Sequence, residues 1–251
     1  MNHSKKSVHS ALISADTPES AARLLIQAKG GAFVATLNWE MLARATEDAK
    51  FQGVLQQADY RICDSIGAKL LLQRGMPRAA VPRIAGIDLG SAILSVAAEQ
   101  GTPIFLLGGR PGVADKARRR LAKVYPKLRI TGCAHGYFTP ADLPALRGRI
   151  NASRAEILFV CLGSPQQEKW ILQNRAYLPS VRLYLPLGGS LDVWAGRVSR
   201  APLFLQRAGA EWLWRILHQP SRIARFVRSC GVFWKFSRKN SPKCRNLFQI
   251  E

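Results

Sequence analysis

Asp64 stands where a carboxylate would be most useful for chemistry. It comes directly after residues 59–63, which are typical of a strand. In an open α/β sheet, the residue after such a strand lies at the rim where ligands bind. A carboxylate there could take a proton from a hydroxyl nucleophile. The same position suits an Asp that caps the helix following Gly67, so both interpretations stay open.

A glycine turn follows the apolar run 157–162, which predicts a buried parallel strand. In the segment that continues from Gly163, the sequence predicts Ser164 as a helix N-cap. Pro165 suits the first helical position, and Gln167 falls three residues after the cap. Free backbone N–H groups at such a helix N-terminus can bind an anion.

A second glycine turn closes the apolar run 183–187. Gly188, Gly189 and Ser190 form it, and Asp192 follows. Two strands of one parallel sheet would deliver glycines, amides and acids to one rim. Glycine turns also follow many strands for purely structural reasons, so the spacing alone leaves that alternative open.

Three further polar residues lie at predicted strand ends or in a basic loop. Thr36 and Asn38 end the neighbouring strand and could hydrogen-bond a sugar or a base, or serve only the turn. Arg83 could clamp a phosphate, or could be one of many surface arginines.

The chain as a whole alternates short apolar runs with amphipathic segments. Strands are predicted at 32–36, 59–63, 103–107, 128–132, 157–162 and 183–187. Helices are predicted from Thr17 to Gly30 and at 39–49, 67–74, 86–100, 111–125 and 141–150. This alternation predicts an α/β fold: a Rossmann-like, mostly parallel sheet with helices on both faces.

The charge of the chain favours acidic partners. Its 251 residues include 37 Lys and Arg against 16 Asp and Glu, a net charge of +21. Nucleic acid, anionic lipid and phosphorylated substrates are the partner classes that fit. The five cysteines form no C-x-x-C pair, which favours a reducing compartment. No signal peptide or membrane span is evident, so we expect a cytosolic protein or one bound to a membrane surface.

The composition changes near Arg197. Residues 197–251 contain 12 Lys and Arg against 2 Asp and Glu, a net charge of +10. Trp and Phe are interleaved with these cations in the predicted helical segments 202–217 and 221–234. We therefore predict a catalytic domain at 1–196 and a basic amphipathic appendage at 197–251 that suits a lipid headgroup surface. A basic helical hairpin packed on the core is the alternative.

Several familiar motifs are missing. There is no phosphate-binding G-x-x-x-x-G-K-[ST], no G-x-G-x-x-G, no D-x-D and no G-x-S-x-G, and the four histidines are scattered. This disfavours nucleoside triphosphatases and nicotinamide oxidoreductases. It favours a metal-free reaction that relies on backbone dipoles and arginines.

Read together, the short motifs resemble one known family. They are TLN at 36–38, CDSIG at 63–67, RIAG at 83–86, FLLGG at 105–109, HGYF at 135–138, LGSPQQE at 162–168, GGSLDVWAG at 188–196, RAP at 200–202, EWLWR at 211–215 and PSRIAR at 220–225. In this order they are similar to the WecG/TagA/CpsF glycosyltransferases, which build bacterial surface polysaccharides and wall teichoic acid. At 63–67 the family often has A-D-G-x-G, and Ser65 here replaces the glycine.

The resemblance implies a fold, a reaction and a location. The fold is Rossmann-like. A sugar moves with inversion from a UDP-sugar to a polyprenyl-diphosphate-linked sugar, without a required metal or other cofactor. N-acetylmannosamine, its uronic acid and glucose are candidate donor sugars. The expected location is peripheral, on the inner face of the cell membrane, with an anionic membrane surface as partner. The oligomeric state is open, with a homo-oligomer among the expectations.

The resemblance also implies roles for individual residues. Asp64 would be the general base on the acceptor hydroxyl. The other expected substrate-binding residues are Thr36, Asn38, Arg83, Gly108, Gly109, Tyr137, Gly163, Gln167, Glu168, Gly189, Asp192, Arg215, Arg222 and Arg225, the last three reaching the diphosphate. A basic nucleic-acid-binding protein with a Rossmann-like core is the alternative. It is disfavoured because the aromatic residues accompany the C-terminal arginines and not a strand face.

Overall fold

The computed structural model describes residues 11–75, 81–218 and Gly231, and a parallel sheet forms the centre of this part of the chain. Its strands are β1 (Ala11–Leu12), β2 (Ala32–Leu37), β3 (Tyr60–Cys63), β4 (Ile104–Gly108), β5 (Ile130–Ala134), β6 (Ile157–Cys161) and β7 (Leu183–Pro186). Their spatial order is β1-β3-β2-β7-β6-β4-β5, and every pairing is parallel. The predicted α/β fold is confirmed. The six predicted strands agree within two residues, and the two-residue β1 was not predicted.

Helices connect these strands. They are α1 (Pro18–Leu25), α2 (Trp39–Glu47), α3 (Ala49–Gln56), α4 (Ile66–Gly75), α5 (Gly86–Gln100), α6 (Val113–Val124), α7 (Leu143–Ala152), α8 (Gln166–Asn174), α9 (Ser190–Trp194), α10 (Leu203–Arg207) and α11 (Glu211–His218). Short 3-10 helices lie at Pro140–Asp142 and Arg175–Tyr177.

The sheet lies between two apolar layers because successive strand side chains point to opposite faces. On β6, Ile157 and Phe159 join the core shared with α1, α5, α6 and α9, whereas Leu158 and Val160 join the core shared with α2, α3, α4, α7 and α8. All five β6 residues are buried. Burial on both faces explains why the central strands are continuous apolar runs.

The predicted helix 39–49 is present as α2, which ends two residues earlier, and the sequence analysis missed the separate helix α3 that begins after Asp48. Asp48 has an extended backbone, and its Oδ1 accepts a hydrogen bond from the Phe51 amide at the start of α3. At the other end of α3, the Arg61 guanidinium donates to the carbonyls of Leu55 and Gln56. A capped start and a capped end make α3 a separate helix.

Two other helix predictions need correction. The structure begins α8 after Pro165, one residue later than predicted, and Ser164 is not its N-cap. The predicted helix 202–217 is two helices, α10 and α11, separated by Gly209 at φ +70°. A positive φ is a conformation that glycine adopts readily and that ends a helix.

The strand order contains one topological switch point. From β4 the chain moves outward to β5, whereas from β6 it moves the opposite way to β7, and β4 and β6 are neighbours. Ligands of open α/β sheets bind beyond the carboxyl ends of strands at such a point. The turns after β4 and β6, which contain Gly109 and Gly163, therefore border the expected crevice.

Candidate active site

The carboxylate of Asp64 is held by a helix distant in sequence. The Gly86 N–H, at the start of α5, donates to Asp64 Oδ1 at 2.6 Å. Ala85, which precedes α5, makes no side-chain cap. Asp64 thus satisfies an otherwise uncapped amide of a 15-residue helix. The N-terminus of that helix, which carries partial positive charge, therefore lies against the Asp64 carboxylate.

The helix that follows Asp64 has a different cap. The Ser65 hydroxyl accepts hydrogen bonds from the amide of Ala68 in α4 at 3.2 Å and from the amide of Trp39 in α2 at 3.0 Å. The interpretation of Asp64 as the cap of this helix is therefore excluded. Gly67 has a packing role, because a Cβ there would lie 2.7 Å from the Trp39 ring.

Thr36 and Asn38 lie beside Asp64. Strand β2 pairs with β3, and the Asp64 amide donates to the Leu37 carbonyl at 2.8 Å. The Thr36 hydroxyl is buried and donates to the Pro186 carbonyl at 3.0 Å. Asn38 Oδ1 accepts from the Met41 amide and caps α2. The Thr36 hydroxyl and the Asn38 carbonyl oxygen therefore have structural partners. The Asn38 Nδ2 group donates no hydrogen bond to any described residue.

Arg83 joins the same group from the other side of β3. Its backbone forms a parallel bridge with Cys63, next to Asp64 in the chain. Its Nη2 donates to the Gln206 carbonyl of α10 at 3.2 Å. Arg83 therefore lies beside the carboxylate and contacts the C-terminal segment.

Thr36, Asp64 and Gly86 lie close together, and Asn38 and Arg83 adjoin them, Asn38 after β2 and Arg83 beside the end of β3. We call these five residues the Asp64 cluster. A Cβ added to Gly86 would lie 3.7 Å from Asp64 Oδ1 and 3.8 Å from Thr36 Cβ. Sequence analysis predicted four of the five members. Gly86 was part of a quoted motif, but its amide had no assigned role.

Gln167 connects two glycine turns. Its Oε1 accepts hydrogen bonds from the Gly163 amide at 3.2 Å and from the Gly188 amide at 2.9 Å. Its Nε2 donates to Glu168 Oε1 at 2.7 Å. Gln167 is 3% exposed, and Glu168 is 0% exposed. The carboxyl group of Glu168 is therefore enclosed by the protein, and its predicted contact with a substrate stays a prediction.

Burial raises the pKa of Glu168 above its ordinary value of 4.5. The neighbouring Gln167 amide, the Ser164 hydroxyl and the more distant charge of Arg44 oppose this shift only in part. Its Oε2 is buried without a hydrogen-bond partner within 3.5 Å among the described residues. Such an environment disfavours the charged form.

The glycine turns offer fewer free amides than their sequence suggests. The amides of Gly163 and Gly188 donate to Gln167, and the Gly109 amide donates to the Cys161 carbonyl at 3.3 Å. An anion at this rim would instead meet neighbouring amides. Those of Ser164 and Gly189 donate to no other described residue.

Glycine is required for steric reasons at the last residue of β4, Gly108, and at the next residue, Gly109. A Cβ on Gly108 would lie 2.2 Å from the Cys161 carbonyl oxygen, and a Cβ on Gly109 would lie 2.9 Å from Val113. Both residues have positive φ angles. These glycines let the ends of β4 and β6 approach each other at the switch point.

Gly189 differs from these glycines. Its φ is −81°, which any residue adopts, and a Cβ there would meet nothing within 4 Å. Gly163 also has open space but needs its φ of +81°. Neither the backbone nor any described neighbour accounts for glycine at 189. Asp192 lies in the short helix that follows, with its side chain half-buried.

The predicted residues therefore form a row along the rim. Neighbouring strands lie about 5 Å apart, which places the turn after β6 about 15 Å from Asp64. On the same spacing, β5 lies about 25 Å from β3, and the loop after β5 folds back beside the turn after β4, where the Gly136 amide donates to the Gly109 carbonyl at 2.8 Å. Tyr137 is in that loop and is 67% exposed. The structure thus brings the Asp64 cluster together but keeps Gly108, Gly109 and Tyr137 apart from it.

A half-buried ion-pair network ties the C-terminal segment to α5. Arg200 donates from two nitrogens to both carboxylate oxygens of Asp88, at 2.5 and 2.8 Å, and its Nε donates to Glu211 at 3.2 Å. Sequence analysis missed this network. Arg200 and Glu211 lie in the quoted motifs RAP and EWLWR, but no local pattern indicates that Asp88 is their partner.

Several predictions fall where the structure does not test them. Arg222, Arg225 and most of the segment 221–234 lie outside the described residues, and the side chain of Arg215 is likewise not described. Among the residues that are described, no three His, Cys, Asp or Glu side chains group as a metal site would require.

Comparison with known protein families identifies one match. The family model described as the Glycosyl transferase WecG/TagA/CpsF family matches residues 8–245 of the 251-residue chain. The match includes every strand of the sheet and the whole Asp64 cluster.

Proposed function

The chain belongs to the WecG/TagA/CpsF glycosyltransferase family, and from this premise we propose that it moves a sugar from a UDP-sugar to a polyprenyl-diphosphate-linked acceptor with inversion. Family membership itself makes the protein a glycosyltransferase of cell-surface polysaccharide or teichoic acid synthesis. N-acetylmannosamine, its uronic acid and glucose remain the candidate donor sugars.

The observation that carries the proposal is the Asp64 carboxylate oriented by the Gly86 amide at 2.6 Å. In the proposed reaction, Asp64 takes the proton of the acceptor hydroxyl, and the freed oxygen attacks the anomeric carbon. The bond from that carbon to the diphosphate oxygen breaks on the opposite face, and UDP leaves. A single displacement of this kind inverts the anomeric configuration.

The row of residues along the rim suits two substrates. The acceptor hydroxyl and the transferred sugar would lie at the Asp64 cluster. The diphosphate would lie near the amides of Ser164 and Gly189, and the nucleoside would extend towards the switch point between β4 and β6. Each preorganised donor aimed at developing charge is typically worth ~3 kcal/mol in the transition state. Arg83 would add a positive charge close to the reacting atoms.

We propose in addition that the enzyme works at an anionic membrane surface. Exposed apolar side chains gather on three helices: Leu70 of α4, Leu203 and Phe204 of α10, and Trp212 and Leu213 of α11. We call them the apolar patch. The turn at Gly209 holds α10 and α11 against Ile66 of α4, and α4 begins two residues after Asp64. A lipid-linked acceptor rising from the membrane would therefore meet the carboxylate nearby. None of the described helices is long and apolar enough to span a bilayer.

We expect the transfer to proceed without a divalent metal. The chain has no D-x-D sequence and no histidine cluster, and backbone amides with Arg83 would offset the charge of the leaving diphosphate. Activity should therefore survive excess EDTA. Loss of turnover in EDTA and its recovery with Mg²⁺ or Mn²⁺ would contradict this expectation.

The decisive experiment is a screen of UDP-sugars against an N-acetylglucosaminyl polyprenyl-diphosphate analogue. One UDP-sugar should give a lipid-linked disaccharide and stoichiometric UDP. Calorimetric titration with UDP, NAD and a short single-stranded RNA is the companion measurement. Binding of RNA or NAD in preference to UDP, with no transfer from any UDP-sugar, would overturn the proposed function.

A further inference from the structure

We propose that Glu168 is a positioning residue: its buried carboxyl group fixes the amide of Gln167 and thereby the relative placement of the two glycine turns that follow β6 and β7. The inference rests on the proposed function for its effect on sugar transfer. Its structural part stands on the contacts within the chain.

Gln167 joins the two glycine turns beyond the end of the sheet. The ladder between β6 and β7 ends where the Leu187 amide donates to the Val160 carbonyl at 3.1 Å. Beyond that bond, Gln167 Oε1 accepts from the amides of both Gly163 and Gly188. One side-chain oxygen therefore continues the connection between the strands past the end of the sheet.

The direction of the Gln167 side-chain amide decides whether it can make these hydrogen bonds. A primary amide has an oxygen that accepts and an NH₂ group that donates, and a half-turn of the group exchanges them. After that half-turn, the NH₂ group would face two backbone N–H donors, and both hydrogen bonds would be lost. Glu168 Oε1 accepts from Gln167 Nε2 at 2.7 Å and so favours the observed direction.

Stability alone does not account for a carboxyl group at position 168. Glu168 is fully buried, and its Oε2 has no hydrogen-bond partner within 3.5 Å among the described residues. Burying a polar atom in this way is unfavourable, and an apolar side chain of similar size would avoid the penalty. The hydrogen bond that Glu168 Oε1 accepts from Gln167 Nε2 is the one that orients Gln167, and the Ser164 hydroxyl also interacts with the carboxyl group.

The two glycine turns affect the proposed reaction through the amides that follow them. Ser164 follows Gly163, and Gly189 follows Gly188, and the amides of Ser164 and Gly189 are the ones that the proposed function directs at the diphosphate. A small displacement of either turn would move these donors relative to the developing charge. Displacements near 1 Å in an active site can lower a rate by about 10²-fold.

The test compares two substitutions. Glu168→Met removes the acceptor for Gln167 Nε2, and Glu168→Gln retains a carbonyl oxygen in its place. We expect Glu168→Met to lower kcat/KM by about 10- to 100-fold, with Glu168→Gln within a few fold of wild type. Hydrogen exchange should become faster at the amides of Gly163 and Gly188 in Glu168→Met, but not in Glu168→Gln.

A matched control lies on the same helix. Asn174 is also buried and lies at the far end of α8. Its side chain donates to the Trp170 carbonyl and accepts from Arg147 of α7. Asn174→Leu should lower stability without changing exchange at Gly163 and Gly188. Faster exchange at these two amides in the control as well would reduce the role of Glu168 to general stability and overturn the proposal.

A second pair of variants keeps the proposal testable if Glu168→Met does not fold. Gln167→Glu alone should impair transfer, because two carboxyl groups then face each other. When Glu168→Gln is added, the amide at position 168 donates to the carboxylate at position 167, so the hydrogen bond forms again in the opposite direction. This double variant should regain much of the activity. Independent sites would instead show additive effects, which would overturn the proposal.

The outcomes also separate this proposal from the proposed function. Wild-type exchange at Gly163 and Gly188 in Glu168→Met would overturn the positioning role, whatever the activity. Faster exchange with unchanged turnover would overturn its role in transfer. A wild-type protein inactive with every UDP-sugar would refute the proposed function, and the exchange measurement would still decide whether Glu168 orients Gln167.

Discussion

Asp64 owes its orientation to an amide 22 residues further along the chain. The neighbouring Ser65 takes the role of helix cap and leaves the carboxylate for the rim. A serine in place of the family's common glycine is therefore accommodated here: its hydroxyl joins α4 to the start of α2. At the scale of single residues, the proposed mechanism leads to two predictions.

The first concerns the base. Asp64→Asn retains an oxygen that can accept from Gly86 but cannot take a proton at neutral pH. We expect turnover to fall by about 10²–10⁴-fold, with UDP affinity within a few fold of wild type. Steady-state assays and calorimetry measure the two quantities. Asp48→Asn, which changes a helix cap at the start of α3, should leave turnover unchanged. A folded, fully active Asp64→Asn protein would contradict the assignment of Asp64 as the base.

The second concerns Gly189, whose backbone does not require glycine. Gly189→Ala should fold with unchanged or slightly raised stability and should bind UDP more weakly, because a methyl group would project into the space where we place the diphosphate. Gly148→Ala is the matched control. It also meets nothing within 4 Å, lies within α7, and should add about 0.5–1 kcal/mol of stability without affecting activity. If Gly189→Ala bound UDP with wild-type affinity, the diphosphate would not lie at this turn and the proposed position would be wrong.

At the scale of elements, α5 connects the parts of the site. Its first amide holds Asp64, and Asp88 in its first turn binds Arg200. Further along, a Cβ on Gly90 would lie 2.6 Å from Leu187 and 3.0 Å from Trp194. Close packing against the end of β7 and against α9 therefore determines where the N-terminus of α5 lies. The same helix aligns the proposed base and holds the C-terminal segment.

Arg200→Met tests that connection. It removes the bonds to Asp88 and Glu211, and we expect faster hydrogen exchange in α11 and lower turnover, with a global cost of about 1 kcal/mol because the pair is partly exposed. Arg23→Met is the control, because it breaks the well-exposed Arg23–Glu99 ion pair at the opposite end of α5. Unchanged exchange in α11 would show that the Arg200 network does not hold the C-terminal segment in place.

At the scale of the whole molecule, charge and shape suit a surface-bound enzyme. The net charge is +21, and the apolar patch adjoins the helix that begins beside Asp64. Cations near an anionic leaflet contribute roughly 1 kcal/mol each, and salt screens this attraction. The full chain should therefore sediment with anionic liposomes at low salt and be released at high salt.

The apolar patch should add to this binding. Replacing Leu203 and Phe204 together by Ser should weaken liposome binding and turnover of a long-chain acceptor. Turnover of a short, water-soluble acceptor should persist. Val124→Ser is the control, because Val124 is about as exposed but lies at the end of α6. Equal liposome binding by the double variant and the wild type would show that Leu203 and Phe204 of α10 do not contribute to membrane binding.

Sequence alone determined the class of fold, most strand positions and the identity of the family. Central strands such as β6 are buried on both faces and read as continuous apolar runs, which local composition reveals. The position of Asp64 at the rim follows for the same reason, because a residue directly after a parallel strand emerges at that edge. Short motifs such as GSPQQE identified the family because they combine several specific residues in order.

Only the tertiary structure decided which partner each polar group has. Asp64 meets Gly86, Gln167 meets Gly188, and Arg200 meets Asp88 because the strand order and the packing of α5 bring distant segments together. Helix capping by Asp48 was also missed, because the same residue type fits a helix interior and a cap. Local sequence patterns encode which residues are buried and whether a segment has the periodicity of a helix or a strand. They do not encode long-range contacts such as the hydrogen bond between Gln167 and Gly188.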